Sequence, residues 1–460
     1  MKKYIPIILI LVFSIVFLGL SKNKNKDLKE NSKKDSKDII IASYVNGVYT
    51  DVLPTESKYF GYVKCFDNSG NVIDSLGFVT WENNKWNVKV TDISASGSCN
   101  VYFIDPPAHW LDAENGTLLK AIKDNNRVEN VKTLPGKKIN KEDEAILSGT
   151  LDDYGTSYFF RGNVQNNYVV FNNMCWKIVR IDGNGNIKLI LQNERGTSCE
   201  VSDYNYNYAR WNGTNTTTAF NNVEGVYNTA SGSGFMYGDS TAQNFMDAQA
   251  NTTTSTLLTR LQDWYDRVFT DSNVINNLAD VIWCGDKSLN SGVGYGNTGS
   301  SYGAYLRLIN KKGPSLKCPT SDSINGDLGN ISKYTAQSSD GNGLLHREIE
   351  GVTKYYPIGL ITADEAAYAG GVYAVSNNTY YLYNGNYYWT ISPSYFYVAS
   401  QHASVMIVYS TGTLTDNGVT YTGYGLRPAV SLNYNVQATY NTGGTDAPGT
   451  VNNPYVVSVN

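Results

Sequence analysis

The chain is short of charge, of histidine and of closely spaced cysteines, and each shortage removes a class of function. Charged residues make up only 17% of it, against about a quarter in an ordinary soluble domain. The net charge is −4 and no basic stretch is interleaved with aromatics, so the electrostatic footprint of a nucleic-acid binder is missing. The three histidines, His109, His346 and His402, stand far apart, and no C-x-x-C pair exists. Zinc therefore lacks its usual ligand spacing, and no cofactor is expected. No cysteine stands directly after the hydrophobic run near the N-terminus, which argues against a lipoprotein anchor.

What the chain has in excess is tyrosine, 36 residues of it, with aromatics at 13%. Tyrosine joins a large apolar face to a hydroxyl, so it suits surfaces that are both exposed and adhesive. A length of 460 residues allows two or three domains, each with its own core. Lys2 and Lys3 precede an uncharged run, Tyr4 to Leu20, at the short end of the membrane-spanning range. Gly19-Leu20-Ser21 also offers a small-x-small cleavage context. Residues 1–21 thus read as a signal or anchor segment, and residues 22–38 as a solvated lysine-rich spacer. Either reading exports the chain. The expected location is extracellular, at the cell surface, tethered by this segment or released after cleavage.

Six cysteines agree with export. They fall two per structural segment, which favours the pairs Cys65–Cys99, Cys175–Cys199 and Cys284–Cys318. Each such loop contributes roughly 3–4 kcal/mol in the chain-entropy description.

Residues 39–104 read as a small β module: short β runs separated by Asn, Gly and Asp, with Glu82-Asn83-Asn84-Lys85 as a hairpin turn. Residues 105–149 read as a linker with a short helix near Leu118–Asn125. A larger domain is expected over residues 150–435, and residues 436–460 form a Gly/Thr/Asn-rich tail with one last strand near Tyr455. Within the large domain, Asp182-Gly183-Asn184-Gly185-Asn186 begins like a calcium loop, but Ile187 and Asn193 stand where glycine and glutamate are needed. A hairpin turn is the better reading. Asn205 to Thr254, poor in aliphatics, reads as a long surface insertion, and Leu289 to Gly303 as a Gly/Ser-rich loop. Ser255 to Phe269 carries an amphipathic helix. Thr362 and Glu365 make a capping box for a helix that Gly370-Gly371 ends.

Several motifs carry little chemistry. Ser301 lies in a G-x-S-x-G match, and Gly294, Gly296 and Gly299 fit G-x-G-x-x-G, but no expected hydrophobic strand precedes either. His346 and Glu350 would share a helix face. Trp176 and Trp389 read as core. Arg427, inside an apolar run, calls for a buried carboxylate, with Glu365 as the candidate partner. Tyr380, Tyr381, Tyr383, Tyr395, Tyr397, Tyr409 and Tyr421 read as exposed, since tyrosine rings stack on sugar faces while Asn, Asp and Ser satisfy hydroxyls. The candidate ligand-binding set is Tyr395, Tyr397, Gln401, His402, Tyr409, Asp416, Asn417 and Tyr421.

Tyr158-Phe159-Phe160-Arg161-Gly162-Asn163, Cys175 to Ile181, Tyr356 to Gly371, Tyr388 to Pro393 and Gly425 to Val430 together carry a resemblance. The chain resembles a family of secreted or anchored bacterial surface proteins whose C-terminal domain is similar to the C-type-lectin-like, sulfatase-modifying-factor fold. The resemblance implies an α+β architecture, with the small all-β module followed by a mixed α+β domain holding a twisted antiparallel sheet and a variable loop face. It does not imply catalysis. Formylglycine-generating members use a cysteine pair that these C-terminal strands lack, and the Glu-Pro-Asn or Gln-Pro-Asp triplet of calcium-dependent lectins is absent. The expected function is that of an adhesin-like binding protein for a glycan or protein on host or neighbouring cells, and not that of an enzyme. A structural envelope protein and a hydrolase or modifying enzyme are the alternatives.

Overall fold

Short runs of β-branched and aromatic residues, punctuated by Asn and Gly, put 39% of the described residues in strands and only 12% in helices. This corrects the α+β expectation: the fold is β-rich, with a curled half-barrel sheet, and six α-helices occur among the described residues. The computed structural model describes residues 39–459 except 71, 74–75, 92–96, 140–143, 201–208, 212–213, 216 and 311–312. The signal or anchor segment and the lysine-rich spacer lie outside the described residues. Ile40 to Asn460 belongs to one compact unit.

The N-terminal strands form a five-stranded sheet in the order Val48–Thr50, Ile39–Val45, Gly97–Ile104, Phe60–Asp67, Val72–Ile73. The hairpin of Leu76–Glu82 and Lys85–Thr91 turns through Asn83 and Asn84, both at positive φ (52° and 58°), the conformation a tight two-residue hairpin requires. Val79, Trp86, Val101 and Phe103 make its core. Phe60 and Ile104 belong instead to the main core, where Phe60 meets Tyr158 edge-on.

A nine-stranded sheet lies at the centre. Its path runs Ile358–Gly359, Ala429–Leu432, Ile187–Asn193, Met174–Ile181, Tyr168–Phe171, Tyr455–Val457, Ala438–Thr439, and Gly155–Gly162 with Ala145–Asp152 branches off Met174–Ile181. Every residue of Met174–Ile181 and Ile187–Asn193 is buried, so these strands show no alternation of apolar and solvent-facing residues, and their few charged side chains, Lys177, Arg180 and Lys188, are buried too. The turn between them is closed by Asp182, whose Oδ1 accepts from the backbone N–H of Asn184 and Asn186. Tyr455–Val457, from the Gly/Thr/Asn-rich segment, runs parallel to Tyr168–Phe171.

A six-stranded sheet follows, in the order Leu289–Ser291, Ser300–Tyr302, Tyr388–Tyr397, His402–Val408, Thr413–Gly418, Val372–Tyr373. Its first two strands come from the stretch read as a Gly/Ser loop; each is only three residues long, too short to reveal a period. The stretch read as a surface insertion also needs correction. Phe220, Ala230 and Phe235 are fully buried, because small residues let the backbone thread the core. A Cβ on Gly232 would stand 2.4 Å from the Val226 carbonyl oxygen.

The helix Thr256–Val268, capped by Ser255, buries Leu257, Leu258, Leu261, Trp264 and Tyr265. The helix Ala363–Ala369 carries the expected capping box and ends at Gly370 with φ 133°. The three disulfides pair as expected, Cys65–Cys99, Cys175–Cys199 and Cys284–Cys318, and point to an extracellular or otherwise oxidising environment. Among the described residues no helix is long and apolar enough to cross a membrane.

Candidate functional site

The register of the six-stranded sheet assembles the site. Tyr395 lies opposite Ser404 and Tyr397 opposite His402, while Ser404 faces Gly418, Met406 faces Asp416, and Tyr373 faces Leu414. Cross-strand partners and alternate residues share a face. Tyr395, Tyr397, His402, Asp416 and Tyr373 therefore lie on one side of the sheet. The helix Gly303–Ile309 adds Tyr305, whose ring meets Tyr395 edge-on at 5.5 Å and 72°. Tyr395 in turn meets Tyr397 at 6.1 Å and 86°. Tyr397 is 56% exposed, and Tyr305, Tyr373, Tyr395 and Asp416 are half-buried.

Asp416 sits among these rings. The Tyr373 hydroxyl donates to its Oδ1 at 2.9 Å, and the Tyr395 hydroxyl stands near enough to favour the charged form of the same carboxylate. Burial raises the Asp416 carboxyl above its ordinary value, although both tyrosines favour its charged form. No lysine or arginine pairs with Asp416 among the described residues.

The remaining members of the expected set lie elsewhere. Asn417 points to the opposite side of the sheet, where its Nδ2 donates to the Tyr424 hydroxyl at 2.5 Å. Tyr421 packs on Tyr424, Tyr424 on Trp389, and Tyr409 on Tyr387. Gln401 is exposed at the hairpin turn, at φ 50°. His402 keeps its place on the Asp416 side of the sheet, where its ring stacks on Tyr227 at 5.6 Å. The eight residues thus divide into an Asp416 face, a second cluster built on Trp389, and a turn residue. Tyr305 and Tyr373 were missed. Tyr305 opens a helix after a stretch read as loop, and Tyr373 follows the Gly370-Gly371 stop, so neither lies in the span searched for exposed rings.

Several expectations are corrected. Tyr380 and Tyr381 are buried, 2% and 3% exposed, because their hydroxyls reach the Gly412 and Val179 carbonyls. His346 and Glu350 share no helix: His346–Ile349 pairs with Val352–Tyr355, and Glu350 sits in the turn at φ 52°. Ser301 is a buried strand residue bonded to Asn290 and Ser291. Arg427 is buried but not against Glu365. It donates to the Leu191 and Leu382 carbonyls and to Gln192 Oε1, with its guanidinium 5.0 Å from the Tyr388 ring centroid.

Glu365 belongs to a buried ionic group. Its Oε1 accepts from Arg180 at 2.8 Å and Lys188 at 2.7 Å, and Arg180 also meets Asp152 at 2.6 Å. Arg307 joins Asp364 at 2.7 Å and Asp286 at 2.6 Å. Burial alone would raise the Glu365 carboxyl, but Lys188 and Arg180 outweigh it and hold it at about 2. Much of this group lines a cavity of about 20 Å³, room for about one water. These charges are spent on one another, which makes the cavity a structural feature. No group of His, Cys, Asp and Glu among the described residues could hold a metal ion.

No family model matches the chain, and neither a curated protein nor a solved structure matches it.

Proposed function

We propose that the chain is an exported cell-surface binding protein whose ligand meets the tyrosine face around Asp416. A tyrosine cluster that meets one carboxylate through Tyr373 and Tyr395 and continues to Tyr305 and to Tyr397, 56% exposed, carries this reading. Such a face offers ring surface at little conformational cost and polar atoms to orient what lands on it. The three disulfides support an extracellular working place, and residues 1–21 serve as the tether or signal. The ligand is a glycan or protein presented by host or neighbouring cells.

The test is binding of the full, disulfide-intact chain to glycan and mucin arrays, beside Tyr397→Ala. Saturable binding is expected, lost in the variant at unchanged melting temperature because the ring is exposed. Binding indifferent to Tyr397 would overturn the assignment of the face, and silence on both arrays would favour a structural envelope protein.

A further inference from the structure

The chain has a consistent way of holding a buried cation. Lys287 Nζ donates to the Gln249 carbonyl and to Asn251 Oδ1 and lies 5.7 Å from the Tyr334 ring centroid. Lys177 Nζ donates to the Tyr381 carbonyl and lies 4.9 Å from the Tyr168 ring. Arg427 has two carbonyls and the Tyr388 ring. In each case oxygen acceptors on one side and a tyrosine face on another enclose a positive charge, as the ring quadrupole favours. The Asp416 face offers comparable parts, with a carboxylate in place of the carbonyls: Tyr373 bonds to it, Tyr395 stands beside it, and Tyr305 and Tyr397 pack on Tyr395. It differs in its acceptor, which is charged, and in that no lysine or arginine among the described residues fills the place.

We infer that this face takes a positively charged ligand group, an alkylammonium, seated on the tyrosine rings against the Asp416 carboxylate. The inference rests on the proposed reading of this face as the binding site and narrows it to a ligand class. A half-buried carboxylate without a cation is costly. A neutral hydroxylated ligand relieves that cost less than a cation does, because the Tyr373 hydroxyl already donates to the carboxylate and adds no charge to it. A soft, weakly hydrated ammonium gains from both the charge and the rings.

The experiment is a calorimetric titration of the full, disulfide-intact chain at fixed ionic strength. The ligands are choline and its uncharged isostere 3,3-dimethyl-1-butanol. Choline is expected to bind saturably and at least about tenfold more tightly than the isostere. Asp416→Asn, which keeps an acceptor for Tyr373, is expected to weaken choline by about tenfold or more. Tyr397→Ala should weaken it at unchanged melting temperature. If Asp416→Asn fails to fold, Tyr305→Ala replaces it, with the same loss expected. Equal affinity for the two ligands, indifference to Asp416→Asn, or no choline binding would overturn the inference. No choline binding together with array binding that depends on Tyr397 would leave the broader reading standing. Array and choline results that both ignore Tyr397 would overturn the two together.

Discussion

Lys177 and Lys287 are buried and meet no carboxylate among the described residues, and burial, joined at Lys177 by repulsion from Arg427, pushes each ammonium down to about 7. Free lysine titrates near 10.4. Between about pH 7 and 10 the unfolded chain therefore binds more protons than the folded one, and stability rises with pH. Beyond about pH 10 the direction reverses. Burial holds Tyr62, Tyr302 and Tyr368 up at about 12, so the folded chain keeps protons that the unfolded chain releases. Urea midpoints measured from pH 7 to 11 should climb and then fall, and Lys287→Met should flatten the climb. A midpoint declining steadily from pH 7 would contradict this. All six cysteines are paired, so no thiol is present to reshuffle disulfides in the alkaline arm. None of this was legible in the sequence, because a lysine inside a strand pattern gives no sign of what faces it. Arg427 shows the same limit: its burial could be read from the apolar run around it, but its carbonyl partners come from segments far away in sequence.

At the scale of elements, local signals were legible and long-range ones were not. The capping box at Thr362 and Glu365, the turn at Asp182 and the hairpin at Asn83-Asn84 are decided within a few residues, and the sequence shows them plainly. Strands of two or three residues carry no measurable period, so Leu289–Ser291 and Ser300–Tyr302 looked like loop. The same blindness hid half of the aromatic face, since Tyr305 and Tyr373 reach it only through the packing of a short helix and a two-residue strand. Glu365 has two tasks that separate by experiment. Its Oε2 accepts from the Thr362 N–H while its Oε1 holds Arg180 and Lys188. Thr362→Ala should cost about 1 kcal/mol, the usual loss of a cap. Glu365→Gln should cost roughly 3–5 kcal/mol, because it leaves two buried cations short of charge. Denaturant unfolding at pH 7 measures both, and equal losses would mean that the ion pairs add nothing. In the wild type the contribution of Glu365 is present above about pH 4.5 and is lost as the pH falls towards 2.

At the scale of the molecule, the disulfides were the most legible feature, because each joins cysteines adjacent in chain order. Replacing Cys175 and Cys199 by alanine should cost about 2–5 kcal/mol, visible as a lowered melting temperature. The sheet order was the least legible, since it depends on which distant strands meet. Tyr455–Val457 lies between Ala438–Thr439 and Tyr168–Phe171, and Tyr455 is fully buried. Deleting residues 436–460 should therefore open the central sheet and make the fragment a ready protease substrate. A fragment as resistant as the full chain would show that these strands are dispensable.

That placement has a consequence for how the protein is made. The N-terminal five-stranded sheet draws all its strands from Ile39 to Ile104 and can close with its own disulfide soon after those residues emerge. The central sheet begins with strands near residue 145 and cannot be completed until Tyr455–Val457 has been synthesised. A chain built from its N-terminus therefore carries an unfinished centre from about residue 145 until Tyr455–Val457 has emerged. Only copies that extend through Tyr455–Val457 can seal it, so the position of one three-residue strand acts as a proofreading step against copies that stop short of it.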